Sequence, residues 1–394
     1  MAFSHVSSMA DLRDHKFIIC GGDGLNPLGI VRSLGKEGIY SYVISKKSKG
    51  GRPLIATSRF VTQVHYAETE EDVIDILVDV FGGESNKPFV FLTDEGHAEL
   101  LDRRYNDIKG KFYFFDAGRK GRLTELNDKS VQCRLASSCG FTVPRFEVLE
   151  KGSLPVALDY PVITKTLSPN EGQWKKDMFV CHDESALLCA FEKIEASRLI
   201  IEEYIEGIHE YDLKGISIDG GREVCFTYAK IWNSQTDSFS SIMHYEPCDD
   251  TVLKERIQAL MKKADYSGIF DIEFIQDASG ELYFLEVNWR TGMYNFNHTV
   301  NGFNIPYLWA KFSLTGHIDT SSIVPKYGSY TSFDELVAFS ACLRKPKLFG
   351  AWIRTIWRSD ILFYYDRNDL KPCLFAWLYF FKRKTQLFIN RFKR

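Results

Sequence analysis

Phe270-Asp271-Ile272-Glu273-Phe274-Ile275-Gln276, the turn Asp277-Ala278-Ser279-Gly280, and the run Glu281-Leu282-Tyr283-Phe284-Leu285-Glu286-Val287-Asn288-Trp289-Arg290 decide how this chain is read. Two β-prone runs joined by four polar turn residues predict a hairpin, with Gln276 facing Glu281 and Asp271 facing Glu286. Alternate side chains of a strand share a face. Asp271 and Glu273 therefore stand with Glu286, Asn288 and Arg290, and Ile272, Phe274, Tyr283, Leu285 and Val287 take the other side. Carboxylates opposed across a strand pair repel by about 1 kcal/mol each unless a cation lies between them. Two carboxylates and an amide oxygen, without His or Cys, suit magnesium that also holds substrate phosphates. A solvated polar face over an apolar one fits the same alternation, so the hairpin alone leaves both readings open.

Upstream, strand and helix patterns alternate. Phe17 to Cys20, Tyr42 to Ser45 and Pro88 to Leu92 read as strands, and Pro27 to Lys36 and Glu70 to Phe81 as helices. In the second helix Val73, Ile74, Ile76, Leu77 and Val80 are expected on one side. Such alternation predicts a parallel sheet covered by helices. The turn Gly21-Gly22-Asp23-Gly24-Leu25-Asn26-Pro27 lies where a strand hands over to a helix. Backbone N–H groups there meet an anion or a substrate carboxylate, or the glycines serve only the turn. After Asn127 a helix from Asp128 to Cys139 leads into strands at Pro161 to Thr166, Leu199 to Tyr204, Tyr211 to Trp232 and Gly268 to Arg290. This half reads as α+β with antiparallel sheets.

Those residues, taken in order, resemble the ATP-grasp superfamily of carboxylate-amine ligases. The closing Glu273 and Glu286-Val287-Asn288-Trp289-Arg290 match its last strands. Asn127-Asp128-Lys129-Ser130, Val162-Ile163-Thr164-Lys165-Thr166 and Ile200-Ile201-Glu202-Glu203-Tyr204-Ile205-Glu206-Gly207 precede them in the family's order. The resemblance implies an ATP-grasp fold with an amino-terminal parallel-sheet domain over 1–125, an ATP-grasp domain over 126–318 and a basic, aromatic extension over 319–394. It implies ATP and Mg²⁺ as cofactors. Lys129 and Lys165 would neutralise phosphates as point charges. Glu202 to Ile205 would form the hinge strand, where the backbone of Glu203 and Ile205 meets the adenine edge, and Glu210 would accept the ribose hydroxyls. Glu273, Glu286 and Asn288 would hold the metal, and Arg290 and Lys230 would stand near the terminal phosphate.

The implied reaction joins a carboxylate, expected to be an amino acid, to an amine through an acyl phosphate, with ADP and phosphate released. No nucleophilic side chain is needed, which agrees with the lack of a Ser-His-Asp or Cys-His spacing. A scaffold that kept the fold and lost the chemistry is the alternative; it would not require the full set of lysines and metal ligands. The turn from Gly21 to Gly29 with Arg32 to Gly35 and Ser58-Arg59-Phe60 is most similar to the D-aspartate ligase and polysaccharide-cluster branch. Asp23, Asn26 and Thr93-Asp94-Glu95 would then form part of the substrate pocket at strand ends. One departure is the stretch Leu167 to Asp177, whose single Gly replaces the family's glycine-rich phosphate loop while Trp174, Lys175 and Lys176 offer other contacts.

Composition bounds the rest. A chain of 394 residues, 45% hydrophobic and 26% charged, has the length and balance of two or three packed units. The nine cysteines lack any Cys-x-x-Cys pair and read as free thiols. No run reaches the ~18 apolar residues of a membrane span, and Met1 to Lys16 lack the order of a secretory signal, so a cytoplasmic address is expected. The net charge of -3 is unevenly spread: from Ala341 onward 13 Lys and Arg face Asp360, Asp366 and Asp369, giving +10 and leaving -13 for the body. An acidic body argues against nucleic acid as a partner. Residues 341–394 interleave aromatics with the basic residues, which suits peripheral contact at the inner face of a membrane, a helical cap on the body, or a homodimer contact.

Overall fold

The structure is a computed structural model and describes residues 11–46, 52–168, 171, 174–232, 239–247 and 250–392. The first four strands, β1 (Phe17–Cys20), β2 (Ser41–Lys46), β3 (Val61–Ala67) and β4 (Phe89–Leu92), pair in the order β3-β2-β1-β4, all parallel. Every residue of β1, an inner parallel strand, is buried, and so is every residue of β4 at the end of the order, which Tyr113 flanks beside Phe89. The helices Leu25–Lys36 and Glu71–Phe81 cover the sheet; in the latter Val73, Ile74, Leu77 and Phe81 are buried. Val80, expected on that same side, instead faces water, because Phe81 completes the buried stripe in its place.

The next strands, β5 (Phe146–Glu150), β6 (Val162–Thr166), β7 (Phe179–Cys181) and β8 (Arg198–Glu203), form an antiparallel sheet in the order β5-β8-β6-β7. Val162, Leu187, Leu199 and Ile201 give it a small core of its own, separate from the main one. The largest sheet holds β9 (Gly207–Ile218), β10 (Glu223–Trp232), β11 (Ile242–Pro247), β12 (Gly268–Asp277), β13 (Leu282–Asn288), β14 (Tyr330–Phe333) and β15 (Ile361–Leu362). Their order is β13-β12-β9-β10-β11-β14-β15, and among the described pairs of this sheet only β14–β15 is parallel. One continuous core joins this sheet to the first: Trp309 lies edge-on to Phe91 at 5.1 Å and Phe115 at 4.7 Å.

The β12–β13 hairpin forms, but in a different register from the one expected. Asp277 closes the turn by accepting the N–H groups of Ser279 (2.9 Å) and Glu281 (3.0 Å), and Gly280 takes a φ of 91°. Gln276 consequently faces Leu282 rather than Glu281. A bulge then leaves Leu285 without a strand partner, so Glu273 faces Glu286 and Asp271 faces Asn288. These two slips of one residue each preserve the shared polar face. The bulge also exchanges two apolar residues: Phe284 is buried in the core, whereas Leu285 lines the cleft.

The carboxy-terminal segment is built into the body. Beyond β14, the helices Glu335–Arg344, Phe349–Arg358 and Leu370–Phe392 pack through Phe339, Trp352 and Trp377. Arg32, buried in the amino-terminal unit, donates to the Phe363 carbonyl (3.2 Å), the Tyr364 carbonyl (2.8 Å) and the Asp369 carboxylate (3.2 Å). The same carboxylate accepts from the Ser58 hydroxyl at 2.7 Å and the Arg59 N–H at 2.9 Å.

Candidate active site

A cleft of about 800 Å³ opens between the small antiparallel sheet and the large one, with the first sheet's strand ends at one side. One end is apolar, walled by Ile163, Met178, Ile275 and Leu285; the middle is crowded with charge; Asn26, Thr93 and Tyr294 close the far end. Lys129, Lys165, Glu202, Glu203, Ile205, Glu210, Glu273, Glu286, Asn288 and Arg290 all line it. Lys230 lies on β10 opposite Tyr211, and its side chain falls outside the described residues, as does most of the stretch 169–175.

Local chemistry explains how each group is held. Asp128 caps the helix Lys129–Ser138 by accepting the N–H groups of Ser130 (2.8 Å) and Val131 (3.2 Å), which places Lys129 on its first turn. The Lys129 ammonium lies on the Glu286 carboxylate. Burial pushes this lysine's pKa down, but Glu286, with Glu202 and Glu273 behind it, outweighs that and leaves it raised. On β6 and β8, strand alternation turns Lys165 and Glu202 to the same side, where they pair at 2.5 Å. Glu203 is gripped by Arg145, whose N–H and Nε each donate to it at 2.9 Å. Glu210 is exposed at the cleft wall.

Across β9, β12 and β13 two polar rows run side by side: Asp212, Glu273 and Glu286 in one, Lys214, Asp271 and Asn288 in the other. Enclosure by the cleft, then the charges of Glu286, Asp271 and Asp212, raise the Glu273 pKa even though its carboxylate reaches water. Burial likewise raises Glu286, but Lys129, Lys165 and Arg290 reverse the sign and hold it below the usual range. Asn288 donates weakly to Glu273 at 3.4 Å and accepts from Arg290 at 3.3 Å. Arg290 is anchored on Glu95 through Nε at 2.6 Å and on the Thr291 carbonyl at 3.0 Å.

Glu273, Glu286 and Asn288 make an oxygen-only set, and among the described residues no three His, Cys, Asp or Glu groups converge as a complete metal cage. That donor chemistry fits magnesium, which commonly takes one or two carboxylates and completes its shell with water and substrate phosphates. The site already draws cations: Lys129 and Lys165 lie on acidic partners inside the cleft.

Of the expected substrate residues, Asn26 and Thr93 reach the cleft and Glu95 reaches Arg290. Asp23 instead accepts the Leu54 N–H at 2.6 Å, and Asp94 caps His97 at 2.9 Å. Lys214 and Asp212, which both line the cleft, escaped the sequence reading. Lys214 is buried between Asp212 (2.9 Å) and Asp271 (2.7 Å), a cation held by two carboxylates beside Glu273 on the neighbouring polar row. The alternation Glu210-x-Asp212-x-Lys214 at the head of an otherwise apolar strand was the available signal. Gly292 covers Asp271 and Lys214 closely, and the Asn26 amide donates to the Thr93 carbonyl (2.9 Å) and the Thr291 carbonyl (2.7 Å), joining the units at the cleft.

No family model and no curated protein sequence matches the chain. Solved structures do. An L-amino acid ligase from Bacillus licheniformis superposes with a TM-score of 0.61 at 16% identity, covering 80% of this chain and 79% of that one. The ADP complex of an N5-carboxyaminoimidazole ribonucleotide synthetase gives 0.63 at 15% identity, covering 85% and 86%. The biotin carboxylase domain of Hydrogenobacter thermophilus 2-oxoglutarate carboxylase, crystallised with MgADP and bicarbonate, gives 0.58 at 16% identity, covering 80% and 73%. With its amino-terminal parallel sheet and the charged cleft between two antiparallel sheets, the chain has the ATP-grasp fold.

Proposed function

We propose that this protein is an ATP- and Mg²⁺-dependent ligase that joins a carboxylate to an amine through an acyl phosphate. The observation that carries the reading is the meeting of Lys129, Lys165, Glu273, Glu286, Asn288 and Arg290, distant in sequence, on the walls of one cleft. The apolar end suits an adenine base, with the backbone of Glu203 and Ile205 at its edge and Glu210 beside the ribose. Lys129 and Lys165 neutralise phosphate oxygens, leaving their acidic partners as the nucleotide enters. Magnesium held by Glu273, Glu286 and Asn288 supplies charge neutralisation on the phosphates.

In the first step a carboxylate oxygen of the substrate forms a bond to the terminal phosphorus and the bond to the ADP oxygen breaks. In the second an amine nitrogen bonds to the acyl carbon, inorganic phosphate leaves, and the amine proton passes to water. Arg290, fixed on Glu95, faces the charge that develops in both steps. Lys230 is assigned the terminal phosphate from its sequence position. The far end, with Asn26, Thr93 and Tyr294, is where the carboxylate and amine would bind. We extend the reading to an amino acid as the carboxylate and a cell-wall or surface-polysaccharide precursor as the amine, on the strength of the Gly21 to Gly29 turn. Such an acceptor places the enzyme at the inner face of a membrane. Incubation with ATP, magnesium and an amino-acid library, with ADP measured, tests the proposal. ADP release that requires a carboxylate is expected; no ADP under any condition overturns it.

A further inference from the structure

The helix Leu370–Phe392 spans about 34 Å at ~1.5 Å per residue. Its inner side packs on the body through Ala376, Trp377 and Phe380. Its outer side is apolar. Leu370, Leu374, Leu378 and Phe381 recur at helical spacing and stand in solvent, Leu374 at 62% and Leu378 at 71% exposure. The neighbouring helix Phe349–Arg358, joined to it through the Trp352 and Trp377 rings at 6.1 Å, does the same with Ile353 and Trp357, the latter 85% exposed. No described helix is long and apolar enough to cross a membrane.

We propose that these two outer helix faces together form a docking surface for an anionic lipid bilayer, lying in the headgroup plane without spanning it. Charge selects the occupant. Exposed Arg354, Arg358, Lys382 and Arg383 accompany the apolar residues, in the segment that carries +10 against a body of -13. Asp369, one of that segment's three acids, is buried on Arg32 and adds nothing to the surface. Two copies of so basic a face repel each other, whereas lipid headgroups of opposite sign attract it and turn the acidic body outward. An exposed Trp and leucines flanked by cations are the composition of a helix that rests at an interface. The surface is also rigidly placed: Glu335 accepts the N–H groups of Phe363, Tyr364 and Tyr365, and the Phe363 ring lies 5.0 Å from Tyr294 at the far end of the cleft. On the ligase reading, on which this last step rests, lipid contact is thereby tied to the end of the cleft that Tyr294 lines.

The test is flotation of the full chain with vesicles of phosphatidylcholine alone or with about one-third phosphatidylglycerol, at low and high salt. Recovery in the top fraction with anionic vesicles only, reversed by salt, is expected. The Leu374→Glu/Leu378→Glu variant should lose at least about tenfold of that recovery, with an unchanged melting curve showing that it folds. Arg354→Glu/Arg358→Glu should lose binding while keeping the apolar stripe. Full recovery in the bottom fraction with both vesicles overturns the proposal. So does a dimer in light scattering that Leu378→Glu splits, which would assign the face to a second copy. Neither readout involves ATP, so failure here leaves the ligase reading standing, and the reverse holds as well.

Discussion

The ammonium of Lys129 lies directly on the carboxylate of Glu286, so a cation expected to meet phosphate rests on a carboxylate expected to meet metal. Each group keeps the other charged inside a protein-lined cleft, and in the proposed reading a nucleotide with its metal takes both roles.

Removing one member of that pair should therefore separate folding from turnover. Lys129→Met leaves Glu286 without its main partner, and a loss of about 1–3 kcal/mol in unfolding free energy is expected. Substrate-dependent ADP release should fall about 100-fold to 1000-fold. Adding Glu286→Gln should restore most of the stability and none of the turnover. Melting curves and an ADP assay on the single and double variants check this; recovery of turnover in the double variant contradicts the assignment.

Arg290 is held by Glu95 from another unit of the chain, which fixes its guanidinium before substrate arrives. Arg290→Ala should lower kcat about 100-fold to 1000-fold with little change in the KM for ATP. Glu95→Gln, which loosens the anchor without removing the cation, should cost less. A loss confined to KM would mean that Arg290 serves binding alone.

Gly292 has no room for a side chain: a Cβ there would lie 1.8 Å from the Asp271 carboxylate and 2.7 Å from the Lys214 ammonium. Gly292→Ala should destabilise the protein by about 1–3 kcal/mol through overpacking. Gly83→Ala, with open space around it, is the control and should melt like the parent. Equal melting temperatures for both variants would show that the loop yields freely.

His298 is buried, and that burial, helped by the Lys214 charge, pushes its pKa from the usual range down to about 3. The native imidazole stays neutral while the unfolded one takes a proton near pH 6.5. Stability supplied by this group is thus present above about pH 6.5 and lost as pH falls toward about 3, at up to ~1.4 kcal/mol per unit. Between pH 7 and 5, His298→Gln should lose about 2 kcal/mol less than the parent. Asp271 and Glu335, raised by burial, work in the opposite direction but are common to both proteins. Parallel stability profiles would refute the account.

The alternating strands and helices up to Leu92 were legible because inner parallel strands and amphipathic helices leave strong local patterns. The helix starting at Lys129 was legible from its Asp128 cap. The cleft face of the hairpin was legible too, since two slips of one residue preserve strand parity. The slips themselves were not. The bulge is settled by packing: Phe284 enters the core beside Phe141 at 5.8 Å, and its N–H bonds the Thr142 carbonyl at 2.9 Å, contacts no local propensity encodes. Lys214 was missed for a similar reason. Its meaning depends on Asp271 from a strand more than fifty residues away, and a lone lysine in a strand usually reaches for water.

Asp369 satisfies the buried guanidinium of Arg32, the Ser58 hydroxyl and the Arg59 N–H at once. During synthesis the parallel-sheet unit emerges from the ribosome long before that carboxylate does, so its interior stays electrostatically unfinished until Asp369 has been made. Trimming the carboxy-terminal helices to ease handling would return the protein to that half-made condition, and a shortened version is a poor stand-in for the intact one.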